Sequence, residues 1–200
     1  MRKALLISFC LVCVLSAAAG AGNNPDAKVA IHVRVHNAKA GCTVALETCD
    51  DINTTEPGYN VDAFPVFFDL TEYKGCAYAL TWPDWASSAA FTNCADFVIG
   101  GIVWPGPASY AAHTWIDCKS GICVPAFLWL YADNPGEICA MDPDEPELGL
   151  EVLDCAEGQD IPVAACCAGV YGAEGDDACN CPAYNATLPT TWGEIKGLFR

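Results

Sequence analysis

Cysteine is the residue type with the clearest chemistry in this chain. The sequence holds 14 cysteines in 200 residues, and two of them, Cys10 and Cys13, lie in an apolar N-terminal stretch. An even number remains, which predicts a framework of disulfide bonds in an exported protein. The candidates for that framework are Cys42, Cys49, Cys76, Cys94, Cys118, Cys123, Cys139, Cys155, Cys166, Cys167, Cys179 and Cys181.

The spacing of these cysteines suggests partners, although a sequence does not fix connectivity. Each bond is expected to stabilise the fold by about 2–4 kcal/mol, mainly by restricting the unfolded chain. The expected pairs are Cys42–Cys49 across a loop, Cys118–Cys123 at the base of a hairpin, Cys76–Cys94 and Cys139–Cys155 on adjacent strands, and Cys166 and Cys167 with Cys179 and Cys181.

Carboxylates offer a second kind of chemistry. Asp142, Asp144, Glu145 and Glu147 stand close together in one short segment. Calcium takes about six to eight oxygen ligands, often from a single loop, so this segment is a candidate calcium site. The segment does not match the EF-hand pattern, and a solvated acidic turn is the alternative.

No set of residues predicts a catalytic centre. His32 and His36 are four residues apart on a predicted strand, which places them about 13 Å apart, too far to share one zinc ion. The chain has no Gly-x-Ser-x-Gly motif, and paired cysteines would leave no nucleophilic thiol. We therefore predict a protein without enzymatic activity. An extracellular hydrolase that uses two carboxylates is the alternative.

Tryptophan could bind a ligand by stacking, because its ring presents a flat apolar face. Trp85 follows a Pro-Asp turn and Trp104 precedes Pro105, so these two are the candidates for exposed stacking on sugar rings. The other tryptophans of this region, including Trp115 and Trp129, fall on predicted strands and are expected to be buried.

The first 21 residues predict a cleaved signal peptide. Arg2 and Lys3 precede an apolar run over residues 4–15, and small residues follow at 16–21. That run is shorter than the roughly 20 residues that span a membrane. We expect a secreted or cell-envelope protein with no transmembrane segment after cleavage.

The charge of the chain limits its partners. The formal net charge is −16, with 9 basic against 25 acidic side chains. A surface this acidic repels phosphate backbones and anionic lipids, so nucleic-acid binding is not expected. The expected partner is a protein or a glycan.

Residues 22–185 predict one β-rich domain. Apolar and polar residues alternate over 29–35, which is typical of a half-buried strand. A second strand over 61–70 contains Pro65 and is expected at a sheet edge or a bulge. Strands over 111–118 and 124–132 are expected to form a hairpin. Many short strands separated by turns indicate a disulfide-stapled, all-β, immunoglobulin-like β-sandwich.

The last segment, residues 186–200, predicts a short amphipathic helix. Thr191 and Glu194 form a capping box, and Lys196 and Arg200 suit the C-terminal end of a helix. A helix this short needs a docking partner. That partner is either the β domain itself or export or surface-attachment machinery.

Two resemblances accompany these patterns. Residues 66–70, Gly75 and residues 78–82 resemble the early strands of cohesin-type and related immunoglobulin-like sandwiches, which implies the fold class but no ligand. The ending Trp192-Gly-Glu-Ile-Lys-Gly-Leu-Phe-Arg200 resembles the short tail of many uncharacterised secreted proteins of uncultivated bacteria. That likeness implies a sorting or anchoring signal.

Together the patterns predict an exported, non-catalytic protein for binding, adhesion or envelope association. A disulfide-rich inhibitor that presents the loop between Cys42 and Cys49 is a further alternative.

Overall fold

The regular structure of this protein is almost entirely β-strand. A computed structural model describes residues 22–81, 86–100, 110–143, 149–156 and 158–184, except for the side chains of 86–89. The strands in these ranges are β1 Lys28–Val35, β2 Thr55–Glu56, β3 Asn60–Phe68, β4 Tyr73–Leu80, β5 Ala86–Asn93, β6 Phe97–Gly100, β7 Tyr110–Lys119, β8 Ala126–Ala132, β9 Gly136–Ile138, β10 Ala140–Met141, β11 Glu151–Leu153, β12 Gln159–Asp160, β13 Ala164–Cys166 and β14 Ala168–Val170, with 3-10 helices at Cys49–Asp51 and Ala178–Asn180.

The strands form three sheets. A five-stranded sheet has the order β13-β1-β3-β8-β5, and a second sheet has the order β12-β11-β4-β7-β6 with β10 also paired to β4. The third sheet is small, with the order β2-β14-β9. Most neighbours are antiparallel, but β1 pairs with β13 in parallel, with Lys28 opposite Ala164. The predicted all-β, cystine-containing fold is confirmed at this level.

Side chains from the two larger sheets form one core. The strand predicted over residues 29–35 is confirmed as β1, and Val29, Ile31 and Val33 are buried in this core. It is not half-buried as predicted, because Ala30 and His32 on the other face are also buried and Val35 is exposed. Phe67 of β3 meets Tyr78 of β4, with ring centroids 6.1 Å apart. Fully burying side chains of this size stabilises a fold by about 1.5–3 kcal/mol each. The packing of the two larger sheets against each other is therefore the main source of stability.

Pro65 does not mark a sheet edge, as the sequence had led us to expect. It lies in β3, between β1 and β8, opposite Ile31 of β1. The register with β8 ends at Ala63, and the next contact on that side is the isolated bridge between Phe67 and Cys123. The missing N–H of proline therefore falls in a gap where no ladder bond is lost.

The predicted hairpin over residues 111–132 is also wrong. β7 pairs with β4 and β6 in the six-stranded sheet, whereas β8 pairs with β3 and β5 in the five-stranded sheet. The turn around Gly121 therefore carries the chain from one sheet to the other. β7 and β8 each bury one face in the shared core. Each therefore shows the same alternation of buried and exposed positions that two strands of a hairpin would show.

Five disulfide bonds link the chain over long and short separations. Only the pairing of Cys166 with Cys181 agrees with the partners expected from spacing. The other expected pairs are wrong because folding brings together strand ends and loops that are distant in sequence. The observed bonds are Cys42–Cys94, Cys49–Cys179, Cys118–Cys155, Cys139–Cys167 and Cys166–Cys181.

Cys76 and Cys123 depart from the expectation that every mature thiol is oxidised. Both are buried between the two sheets and unbonded, with their Sγ atoms 4.0 Å apart. Burial raises the pKa of the Cys123 thiol well above its usual range, and the Cys76 thiol beside it adds to the shift. These two side chains therefore pack as small apolar groups rather than as reactive thiolates.

A second, smaller core lies on the outer face of the five-stranded sheet. Phe64, Val66 and Phe68 of β3 point away from the shared core and are nevertheless buried. Two loop segments, residues 44–52 and 178–181, lie over them, and we call these segments the loop cover. The bond between Cys49 and Cys179 joins the two halves of the cover.

The two ends of the chain lie outside the described residues. The predicted signal peptide (1–21) and the predicted helical tail (186–200) therefore stay predictions. In the part of the chain that the structure does describe, no helical segment has the length and hydrophobicity for a membrane crossing.

Candidate functional site

Exposed aromatic side chains gather on and beside β8. Tyr59, Trp129, Tyr131 and Tyr171 have 50%, 41%, 40% and 39% of their surface exposed, respectively. Together with His36 they form what we call the aromatic surface. Large apolar groups in such proximity are uncommon on proteins without a partner.

β8 turns two of these rings outward. Leu128 and Leu130 alternate with Phe127, Trp129 and Tyr131, and the leucines are buried in the shared core. The three aromatic residues therefore share the opposite face, where Phe127 packs on Phe64 of the smaller core, with ring centroids 5.4 Å apart, and Trp129 stays exposed. Ala90 of β5 lies opposite Trp129, so a small neighbour leaves that side of the indole open.

The indole of Trp129 is fixed from two directions. Its Nε1 donates a hydrogen bond of 2.6 Å to Oδ1 of Asn60 on β3. The imidazole of His36 stacks on it, with ring centroids 4.8 Å apart and planes 24° apart. A ring held in this way loses little conformational entropy when a ligand binds.

Asp62 orients the histidine. Its carboxylate is buried, and Oδ1 lies 2.6 Å from Nδ1 of His36. Its other oxygen, Oδ2, accepts from Nε of Arg34 at 3.2 Å and from the backbone N–H of Asn37 at 3.1 Å. A buried carboxylate needs such compensation, because an unpaired buried charge is strongly destabilising.

The tyrosines make a second cluster of rings. Tyr59 meets Tyr131 and Tyr171 edge-on, with centroids 5.1 Å and 6.1 Å apart. Tyr171 has a φ of 57°, a left-handed conformation that non-glycine residues rarely adopt. Its amide donates to the carbonyls of Glu56 and Gly58, which hold it there. Surrounding structure thus enforces the position of an exposed ring.

The pair formed by Asp62 and His36 resembles half of a catalytic triad, but its chemistry is different. A triad needs a nucleophile hydrogen-bonded to the second ring nitrogen of the histidine. Among the described residues, no serine, threonine or cysteine bonds to Nε2 of His36. The imidazole of His36 instead stacks on Trp129. Asp62 and His36 therefore position the aromatic surface.

The other histidines are buried in the fold. Nδ1 of His32 accepts the backbone N–H of Asn53 at 3.0 Å, and burial, followed by the charge of Arg34, lowers the pKa of His32 to about 4. His113 contacts Tyr78 and Asn93, and burial lowers its pKa to about 4 as well. Both rings are neutral near pH 7.

Of the ligand residues predicted from sequence, only Asp142 lies in the described ranges. Trp85 and Trp104, and the calcium candidates Asp144, Glu145 and Glu147, lie outside the described residues. Asp142 is described: Oδ1 accepts the backbone N–H of Leu150 at 2.9 Å, and Oδ2 has no hydrogen-bond partner in the described part of the chain. Calcium binding stays a prediction.

Two other groups of potential metal ligands occur in the described ranges. They are Cys49 with Asp50 and Cys179, and Glu72 with Cys118 and Cys155. All four sulfur atoms belong to disulfide bonds, so none is a thiolate that could bind a metal.

No family model, curated protein or solved structure matches this chain. Trp129, which was expected from the sequence to be buried, is the central residue of the aromatic surface. Its signal was the alternation with Leu128 and Leu130, because two leucines that face the core leave the aromatic residues outside.

Proposed function

We propose that this protein is an exported, non-catalytic binding module that holds a glycan on its aromatic surface. The observation that carries the proposal is the exposed indole of Trp129, fixed by Asn60 and His36 and flanked by tyrosines. A rigid, exposed ring supplies contact area at little entropic cost.

A sugar fits this surface chemically. One face of a pyranose ring presents C–H groups, which stack on indole or phenol rings, while its hydroxyls need donors and acceptors at the edge. The aromatic surface offers phenol hydroxyls and the side chain of Asn60 beside its rings. The formal net charge of −16 favours neutral glycans over anionic ones.

Export is the second part of the proposal. Five disulfide bonds fit an oxidising compartment, and the predicted signal peptide over residues 1–21 supplies the route. We place the protein outside the cell or in its envelope. The tail over 186–200 is proposed to engage export or surface-attachment machinery, so deleting it should change location while the melting temperature stays the same.

The architecture itself is proposed to be an immunoglobulin-like β-sandwich. Two mostly antiparallel sheets that share one core support this class. The parallel pairing of β1 with β13 and the third sheet are additions to that plan.

The test compares two exposed aromatic residues on different sheets. Trp129→Ala removes the centre of the aromatic surface, and Phe97→Ala removes a ring from β6 that is 55% exposed, against 41% for Trp129. The mature protein is screened on a glycan array, and cellohexaose and chitohexaose are titrated by calorimetry. We expect Trp129→Ala to weaken glycan binding at least tenfold and Phe97→Ala to leave it unchanged. Equal losses in both variants, or no glycan bound at all, would contradict the proposal.

A further inference from the structure

The six-stranded sheet carries a trough on its outer face. Its floor consists of small residues on two neighbouring strands: Gly75 and Ala77 on β4, and Ala112 and Thr114 on β7. The register sets Gly75 opposite Thr114 and Ala77 opposite Ala112, so the floor is continuous across both strands. A Cβ on Gly75 would come within 2.9 Å of the carbonyl oxygen of His113, which restricts this position to glycine.

Larger side chains wall the trough on both sides. β11 contributes Glu151 and Leu153, opposite Ala77 and Gly75. On the other side β6 contributes Ile99, opposite Ala112, and this side chain is 67% exposed. The space between the walls is about 220 Å³. It is smaller than the roughly 300–1,000 Å³ of drug-sized pockets, so it suits a small ligand.

Glu151 gives the trough its chemical character. It is the only charged side chain that lines the trough in the described ranges, and it forms no hydrogen bond or ion pair with any described residue. Thr114 is already engaged, since its hydroxyl donates to the carbonyl of Lys74. A half-buried carboxylate beside apolar walls lacks the compensation that most such groups have, and a cation would supply it. Burial also raises the pKa of Glu151, which is consistent with an uncompensated site.

We propose that this trough binds a small organic cation with an apolar body, namely a primary alkylammonium ion. The ammonium group would lie on the carboxylate of Glu151, and the alkyl chain would run over Ala77 and Ala112 between Leu153 and Ile99. The formal net charge of −16 attracts cations and opposes a second copy of the chain. This site is on a different sheet from the aromatic surface and is independent of the proposed glycan binding.

The experiment uses n-hexylammonium as the probe and hexanoate as the matched anion. Each is titrated into the mature full chain by calorimetry, and amide chemical shifts are mapped in parallel. We expect hexylammonium to bind with a dissociation constant on the order of 1 mM or tighter and hexanoate not to bind. The largest shift changes should fall on Ala77, Ala112 and Leu153.

Three variants sharpen the result. Glu151→Gln keeps the shape but removes the charge, and should weaken hexylammonium binding at least tenfold. Ala112→Leu fills the floor and should abolish binding. Glu174→Gln removes an exposed carboxylate elsewhere and should change nothing.

Four outcomes would overturn the proposal. They are no hexylammonium binding, equal binding of hexanoate, unchanged binding by Glu151→Gln, and shift changes away from the trough. Dimerisation through this face, or probe binding that appears only after deletion of residues 186–200, would also overturn it, because the occupant would then be another copy or the tail. The wild-type shift map decides the question even if Ala112→Leu fails to fold.

Discussion

The outer faces of the two larger sheets differ: loops cover one of them, and no described loop covers the other. On the five-stranded sheet, Phe64, Val66 and Phe68 are covered by loops that contain only two short 3-10 helices. On the six-stranded sheet, Ile99 and Ile116 stay 67% and 65% exposed, and Ile99 borders a floor of glycine and alanine. The comparison shows that loops can cover a sheet when cystines hold them there. Where no described loop lies across the strands, small side chains leave a trough.

Among the predicted changes, acidification should cause the largest decrease in the free energy of unfolding, because each of the two larger sheets contains a buried histidine. His32 and His113 have pKa values of about 4 in the fold, against about 6.5 in an unfolded chain. Between these values the unfolded state binds more protons, so the free energy of unfolding falls as the pH falls. By pH 4 each histidine should cost about 3 kcal/mol.

Urea unfolding followed by circular dichroism between pH 7 and 4.5 would measure this slope. That window stays above the titration of Asp51 and Asp177, whose hydrogen bonds lower their pKa values. Burial raises the pKa of Glu151, which gives a slope of the opposite sign, so the measurement uses a Glu151→Gln background. His32→Gln and His113→Gln should each remove about half of the slope. A stability that does not change across the window would contradict the burial of both rings.

Removing the cystine of the loop cover should have the next largest effect. Cys49 and Cys179 are 130 residues apart, so replacing both by serine should lower the free energy of unfolding by about 5 kcal/mol. The variant should also bind the dye ANS, because the apolar residues beneath the cover become accessible. Replacing Cys118 and Cys155, which are 37 residues apart, should cost about 4 kcal/mol without dye binding. Equal dye binding by both variants would mean that the cystine does not hold the cover.

Asp62→Asn should have a smaller effect, centred on the aromatic surface. The substitution removes the charge that pairs with Arg34 and His36, and should cost about 3 kcal/mol. The near-ultraviolet circular dichroism of Trp129 should weaken as the imidazole loses its orientation. Asp69→Asn is the control, because its ion pair with Lys28 is exposed and should contribute at most about 0.5 kcal/mol. If both variants behave alike, the Asp62 network does not support the surface.

The smallest expected effect is on the reactivity of two thiols in the core between the two larger sheets. Cys76 and Cys123 are unbonded. In protein produced without residues 1–21, which contain Cys10 and Cys13, a thiol reagent should therefore find no reactive group in the native state and two in denaturant. A Cys76→Ala, Cys123→Ala double variant should give no signal in either condition. No thiol in the denatured wild-type protein would show that these two cysteines are bonded.

Sequence patterns predicted the positions of strands better than they predicted which strands pair and which cysteines form bonds. The alternation over residues 29–35 predicted the strand β1, but it did not predict that the second face, with Ala30 and His32, would also be buried. The hairpin over 111–132 was predicted wrongly, because alternation does not say which sheet a strand joins. Cys166–Cys181, only 15 residues apart, was foreseeable, but Cys49–Cys179 required the fold itself.

The candidate site was harder to predict than the strands. Its centre, Trp129, lies on a strand whose two faces are both apolar, so hydrophobicity alone did not separate buried from exposed residues. The pairing of His36 with Asp62 joins β1 to β3, and no spacing in the sequence indicates it. Likewise, the trough arises from small residues that neighbouring strands set side by side.

The order of the cystines has a consequence for maturation. From Cys42 to Cys181, no bond joins two cysteines that are consecutive along the chain. A polypeptide oxidised in the order in which its thiols become available would first link Cys42 to Cys49, which is a wrong pair. Oxidation alone is therefore insufficient, and the native set requires thiol–disulfide exchange that rearranges early bonds. Recombinant material should accordingly reach its native state in a glutathione shuffling buffer or with a disulfide isomerase, and should be trapped in mixed isomers by a fast oxidant.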